Sequence, residues 1–152
     1  MRLTGLFVAL FCGLISTQAL ALDIDQMPIK LGDAYQQVKD AYKTSLEPEP
    51  VKTTTPGSTA VRLKTKGVWF FFNRESKVYT IRLDAPFPGN VGGVKINDSV
   101  VQMQKVLGKP AKIPPTQSTL QPRSYVYYLD DVTTVVFRAN SDDEIETIFI
   151  LK

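Results

Sequence analysis

Apolar residues of this 152-residue chain recur along two stretches that lie 65 positions apart. In both stretches they stand at i, i+4, i+7 and i+11, the spacing of one face of an α-helix. The first stripe consists of Leu31, Tyr35, Val38 and Tyr42, and the second of Ile96, Val100, Met103 and Leu107. Asp33 and Asp98 stand where a helix N-cap would accept backbone N–H bonds. Gly108, followed by Pro110, predicts the end of the second helix.

Each predicted helix is followed by a long loop rich in proline and threonine and then by three short apolar stretches. Short turns between such stretches are typical of antiparallel hairpins. The predicted strands are residues 60–66, 68–73 and 77–83 in the first half and 124–130, 133–138 and 144–150 in the second. The pattern therefore predicts an α+β fold of two tandem helix-plus-antiparallel-meander modules, residues 22–90 and 91–152. We expect both helices to pack on one face of the sheet and the two modules to form one compact domain.

Residues 1–21 have the composition of a secretory signal peptide. Arg2 precedes an apolar run from Leu6 to Ile15, and a small-residue pattern, Ala-Leu-Ala, ends at Ala21. The run is too short to cross a bilayer, which needs about 20 apolar residues. We therefore expect cleavage after Ala21 and a soluble periplasmic or secreted protein. The single cysteine, Cys12, falls within this segment, so no disulfide is expected, and that favours a periplasmic protein over a small disulfide-rich secreted one.

The residue inventory offers little for catalysis. The chain has no histidine and no cysteine after the signal segment, so the commonest general base and the thiolate nucleophile are both missing. None of the serines lies in a G-x-S-x-G motif. Carboxylates cluster at 130–131 and 142–144, where calcium binding is one interpretation. Hairpin turns explain both clusters better, because no calcium-loop spacing is present. We therefore expect no enzyme, no catalytic residue, no metal site and no cofactor.

Alternation along the predicted strands divides their residues between a face toward the helices and a free face. Ile81 and Leu83 match Ile148 and Ile150 in pointing inward, and Val68, Phe70 and Phe72 are assigned to the core. The opposite parity gives the candidate partner-binding residues Arg62, Lys64, Trp69, Phe71, Arg82, Tyr127, Arg138 and Phe149. For the strand that contains Tyr127, the neighbouring Tyr128 is the alternative, since the pattern leaves its register open. A second alternative is a strand buried on both sides, in which the other module or a loop covers Trp69 and Phe71.

A family resemblance is carried by the phrase VKINDSVVQMQKVLGKP (residues 94–110), which the segment beginning IKLGDAYQQVKDAY repeats in outline. The predicted order of helix, glycine, proline and β-meander occurs twice, and this tandem order resembles the architecture of the β-lactamase-inhibitory protein family. Each single unit resembles the periplasmic modules of BamE/SmpA type. The resemblance implies this fold and a sheet that binds proteins. The chain departs from both, since BamE-type proteins are usually lipoproteins with one module and the inhibitory proteins carry disulfides. No individual binding residue transfers.

We therefore expect the protein to act by binding another molecule. The net charge of +3 is too balanced to favour a nucleic-acid partner. The first hypothesis is a periplasmic inhibitor or immunity-type protein that blocks a hydrolase or an envelope toxin through its exposed sheet face. The alternative is an accessory protein of outer-membrane or envelope assembly. A third is a carrier that holds a lipid or glycan in a pocket between the modules. No membrane span is expected after signal cleavage.

Overall fold

The computed structural model describes residues 24, 26–52, 55–116 and 121–152. The predicted signal segment and its cleavage site lie outside the described residues. Within the described ranges, no helix is long and apolar enough to cross a membrane.

In the described residues, seven antiparallel strands form one open sheet, and two α-helices accompany it. The helices are α1 (Tyr35–Tyr42) and α2 (Val100–Leu107). The strands are β1 (Glu49–Pro50), β2 (Thr59–Leu63), β3 (Val68–Phe72), β4 (Val78–Asp84), β5 (Arg123–Tyr128), β6 (Thr134–Ala139) and β7 (Ile145–Leu151). Their order across the sheet is β1-β2-β3-β4-β7-β6-β5. The prediction of a mixed fold with antiparallel strands and two helices is confirmed.

One continuous hydrophobic core joins the helices to what we call the inner face of the sheet. Val38 of α1 and Met103 of α2 are fully buried in the same cluster as Phe70 of β3. The Tyr35 ring meets Phe72 edge-on at 5.7 Å, and the Tyr42 ring lies tilted 5.5 Å from Phe70. Because aromatic side chains contribute large buried areas, these contacts fix α1 on the sheet.

The centre of the sheet is the antiparallel pair β4–β7, which joins the two halves of the chain edge to edge. Arg82 lies opposite Phe149, and the pairing extends from Thr80–Leu151 on one side to Asp84–Thr147 on the other. Between these positions the inward residues are buried, namely Ile81, Leu83, Ile148 and Ile150. The predicted inner-face parity of both strands is confirmed. The same holds in β3, where Val68, Phe70 and Phe72 are buried.

The two helix starts differ by one residue from the predicted ones. Asp33 Oδ2 accepts the N–H of Lys30 at 2.7 Å, and Asp98 Oδ2 accepts that of Lys95 at 2.8 Å. Each aspartate thus closes the turn before its helix, and the N-cap positions are Ala34 and Ser99. The prediction that Asp33 and Asp98 are the N-caps is therefore wrong, because their carboxylates accept backbone N–H groups of the turn that precedes each helix.

The predicted end of α2 is confirmed. The helix stops at Leu107, and Gly108 has a φ of 77° and donates its N–H to Gln104 O. Glycine takes this conformation without the steric cost that a Cβ would add.

Candidate functional site

Four side chains on the face opposite the helices, the outer face, form a row across four strands. The register places Arg62 of β2 opposite Trp69 of β3, Trp69 opposite Arg82 of β4, and Arg82 opposite Phe149 of β7. Residues directly opposite each other in antiparallel strands project from the same face and interact. We call these four residues the cation–aromatic row.

The guanidinium groups of the row lie over its aromatic rings. Arg62 Cζ is 4.1 Å from the centre of the Trp69 ring, and Arg82 Cζ is 5.1 Å from the same ring. Arg82 Cζ also lies 5.6 Å from the Phe149 ring. Each such contact contributes about 0.5–1 kcal/mol at an exposed site. Arg82 is thus held between rings contributed by the two halves of the chain.

Two further residues widen the row. The Phe71 ring is stacked parallel to the Trp69 ring at 6.2 Å, with an interplanar angle of 5°. Arg138 of β6 places its Cζ 6.0 Å from the Phe149 ring. Trp69, Phe71, Arg82, Arg138 and Phe149 are all half-buried, whereas Arg62 is exposed. Trp69 and Phe71 are covered in part by neighbours in the same sheet, and the two helices lie on the opposite face.

Asp84, at the end of β4, is a member of the site that the sequence patterns did not identify. Its Oδ2 accepts the indole N–H of Trp69 at 3.0 Å. Its Oδ1 accepts the Arg82 Nε–H and the Thr147 hydroxyl, each at 3.0 Å. These bonds fix the orientation of the indole and of the Arg82 guanidinium. The only sequence signal is its spacing of two residues from Arg82, which puts both side chains on one face.

The positive charge of the outer face is only partly compensated. Asp84 forms an ion pair with Arg82 at 3.0 Å. Among the described residues, neither Arg62 nor Arg138 forms an ion pair with a carboxylate, and Arg138 Nε is buried without a hydrogen-bond partner. A buried donor without an acceptor costs about 1–3 kcal/mol. The outer face therefore combines ordered rings with cations that can accept an external anion.

The placement of Tyr127 on this face is wrong. Tyr127 is buried in the core, where its ring meets Phe137 edge-on at 5.6 Å and its hydroxyl donates to Gly108 O at 3.0 Å. The carbonyl just beyond α2 offers a polar partner on the inner side, which explains why a tyrosine can be buried there. The alternative, Tyr128, projects from the outer face and is 63% exposed.

The placement of Lys64 in a strand is also wrong. β2 ends at Leu63, and Lys64–Lys66 form a 3-10 turn that Gly67 closes with a φ of 64°. A Cβ at Gly67 would lie 2.2 Å from Asp84 O, so the glycine lets this turn pack against the end of β4. Lys64 is exposed beside the outer face, at the end of β2.

An inner-face cavity of about 340 Å³ lies where the two halves meet. Its walls include Ile81, Ile150 and Leu129, and Lys30 and Asp130 also line it. Backbone hydrogen bonds, chiefly from the N–H of Val132, hold the pKa of Asp130 below its usual value. Asp130 thus closes its own turn, as the turn interpretation of this carboxylate expects. The cavity is at the small end of the range for ligand pockets, about 300–1,000 Å³.

Comparison with known proteins supports the fold but does not identify a family. The sequence matches no protein-family model and no curated protein. Among solved structures, the chain is similar to a DUF4309 family protein, YjgB, from Bacillus subtilis subsp. subtilis strain 168. The two share 14% sequence identity, each chain is covered over 78% of its length, and the TM-score is 0.50. At this identity the likeness concerns the fold alone.

Proposed function

We propose that this protein binds another protein through its outer face, as an inhibitor or immunity-type protein that covers the active site of a hydrolase or of an envelope toxin. The observation that carries the proposal is the cation–aromatic row, because neither its member Arg62 nor the neighbouring Arg138 has a carboxylate partner among the described residues. Tryptophan, tyrosine and arginine are the residues most enriched at binding hot spots.

The geometry also favours a rigid binding surface. Arg82 is held by Asp84 and by two rings, so it loses little side-chain freedom when a partner docks. Immobilising a flexible side chain at an interface costs about 0.5–1.5 kcal/mol, a cost that prior ordering removes. The expected partner surface presents carboxylates to Arg62 and Arg138 and apolar groups to the rings of Trp69 and Phe149.

The proposal includes the tandem arrangement of two modules, residues 22–90 and 91–152, in an exported protein. Matched backbone bonds support it. Gly32 N donates to Val78 O at 2.7 Å, and Asn97 N donates to Ile145 O at 2.8 Å, at equivalent positions of the two halves. In this arrangement the row straddles the seam between the modules.

The experiment is a comparative capture with a tagged chain. Three chains are incubated with envelope extract and with candidate hydrolases. They are the wild type, the outer-face variant Arg138→Ala/Phe149→Ala, and the control Lys105→Glu on the exposed side of α2. We expect the wild type and the control to retain the same protein in one-to-one ratio, to inhibit it, and the outer-face variant to release it. Equal retention by the outer-face variant would contradict the proposal. Binding without inhibition would instead favour the assembly-accessory function.

A further inference from the structure

The strand β2 has a free edge at its C-terminal end. β1 pairs with it at only two positions, Glu49–Ala60 and Pro50–Thr59, and the described chain leaves the edge uncovered from Val61 to Leu63. A groove of about 700 Å³ runs beside this edge, between β2 with its following turn and the segment from Tyr42 to Val51. We call it the edge groove.

The backbone of Arg62 points into the edge groove. Val51 N donates to Ser58 O at 3.1 Å, so the polar backbone groups of Ser58 face the β1 side. In an antiparallel ladder every second residue faces the same neighbour, which turns the N–H and C=O of Arg62 to that side too. In the part of the chain that the structure describes, these two groups have no backbone partner. An unpaired strand edge of this kind accepts another strand.

The walls of the edge groove set the side chains that an added strand would carry. Tyr42, Leu46 and Leu63 supply apolar surface, and Leu46 is 48% exposed. The outer side of the groove carries the guanidinium of Arg62 and the indole of Trp69. Because side chains alternate along a strand, an incoming segment would present apolar residues to the first set and polar residues to the second.

Charge decides which polar residues fit. The groove is lined by four cations, Lys43, Arg62, Lys64 and Lys66, and by two carboxylates, Glu47 and Glu49. Glu47 lies 3.6 Å from Lys39 and is paired there. The surplus is positive, and an acidic segment complements it.

We infer that the edge groove accepts an extended segment of the partner protein, alternating acidic and apolar residues, as an additional strand beside β2. The inference rests on the proposed protein-binding function and names a second part of the partner. Such β-augmentation draws affinity from main-chain hydrogen bonds and specificity from alternate side chains. Since Arg62 and Trp69 border both the groove and the cation–aromatic row, one partner can engage the two surfaces together.

The test uses a defined peptide, acetyl-Val-Glu-Val-Glu-Val-Glu-Val-amide, titrated into the full chain labelled with 15N. We expect the Arg62 amide proton to move downfield and its hydrogen exchange to slow. A peptide with the same side chains but N-methylated at its glutamates cannot donate to Arg62 O and should bind about tenfold more weakly. The variant Lys64→Glu/Lys66→Glu should lose about tenfold in affinity, whereas Lys105→Glu should match the wild type.

Three results would overturn the inference. They are equal binding of the N-methylated peptide, an Arg62 amide that does not respond, and a chain that self-associates through β2 so that a second copy fills the groove. The captured partner separates this inference from the proposed function. If it binds Lys64→Glu/Lys66→Glu as tightly as the wild type but fails to bind Arg138→Ala/Phe149→Ala, which changes no residue of the groove, the outer face is supported and the edge groove is refuted.

Discussion

Asp84 holds the outer face together, and Asp84→Asn tests that directly. The carboxylate accepts three hydrogen bonds, from Trp69, Arg82 and Thr147. Asparagine keeps the size but has one acceptor oxygen, and its amide nitrogen would face donors. The substitution also removes the ion pair with Arg82.

The expected loss follows from these contacts. A neutral hydrogen bond contributes about 0.5–1.5 kcal/mol and one to a charged group about 1.5–3 kcal/mol. The side chain of Arg82 is 35% exposed and that of Asp84 is 19% exposed, so solvent screens the ion pair and its share is reduced. We expect Asp84→Asn to lower the free energy of unfolding by about 2 kcal/mol, or the Tm by roughly 4–10 °C.

The assay is urea denaturation followed by circular dichroism and by the fluorescence of Trp69, the one tryptophan of the chain. Asp131→Asn is the matched control, because Asp131 is exposed in a turn, and it should change stability by less than about 0.5 kcal/mol. If Asp84→Asn unfolds at the same urea concentration as Asp131→Asn, the carboxylate does not organise the outer face.

Two further predictions concern the stability of the fold around the site, at Gly67 and at Tyr42. Gly67→Ala places a Cβ against backbone atoms of Asp84 and Phe87 at a positive φ, and should cost about 3 kcal/mol, whereas Gly32→Ala, with nothing within 4 Å, should cost about 1 kcal/mol. Equal thermal shifts of the two variants would contradict this. Burial raises the pKa of Tyr42 from 10.0 to about 12, so the folded state favours the neutral phenol. The stability that the neutral phenol contributes is fully present below pH 10 and is lost as the pH rises through 12. Because Tyr42 is only partly buried, we reduce the expected effect to about 1 kcal/mol. Between pH 9 and 12 the free energy of unfolding, measured by urea denaturation, should fall by that much more in the wild type than in Tyr42→Phe. Equal decreases would refute this prediction.

Alternation predicted the faces of β3 and β4 correctly because a polar residue fixes the parity of each strand, Asn73 just after β3 and Arg82 within β4. In β4 the inward positions are Ile81 and Leu83, while Arg82 and Asp84 occupy the other face, so one register satisfies the core. In β5 the pattern fails. Tyr125, Val126 and Tyr127 are consecutive and all buried, because residues 111–112 pair with Val126 along the edge of β5 that does not face β6. A run of large apolar residues does not encode its own register.

Long-range pairing and turn geometry lay beyond the sequence patterns. The meeting of β4 and β7, which brings Arg82 against Phe149, joins residues 67 positions apart and leaves no local signal. The loss of Lys64 from β2 depends on the 3-10 turn that Gly67 makes possible. Asp84 was missed because its role appears only when the indole and guanidinium of neighbouring strands converge on it.

Hydroxyl-radical footprinting of the captured complex shows whether the partner covers the outer face. The rates of oxidation of Trp69, Phe71 and Phe149 are compared in the free chain and in the complex, with Ile113, 52% exposed in the segment beside β5, as the internal reference. We expect the three aromatic residues to become protected while Ile113 keeps its rate of oxidation. Unchanged oxidation of the aromatic residues in a stoichiometric complex would show that the partner binds elsewhere and that the outer face is not the binding surface.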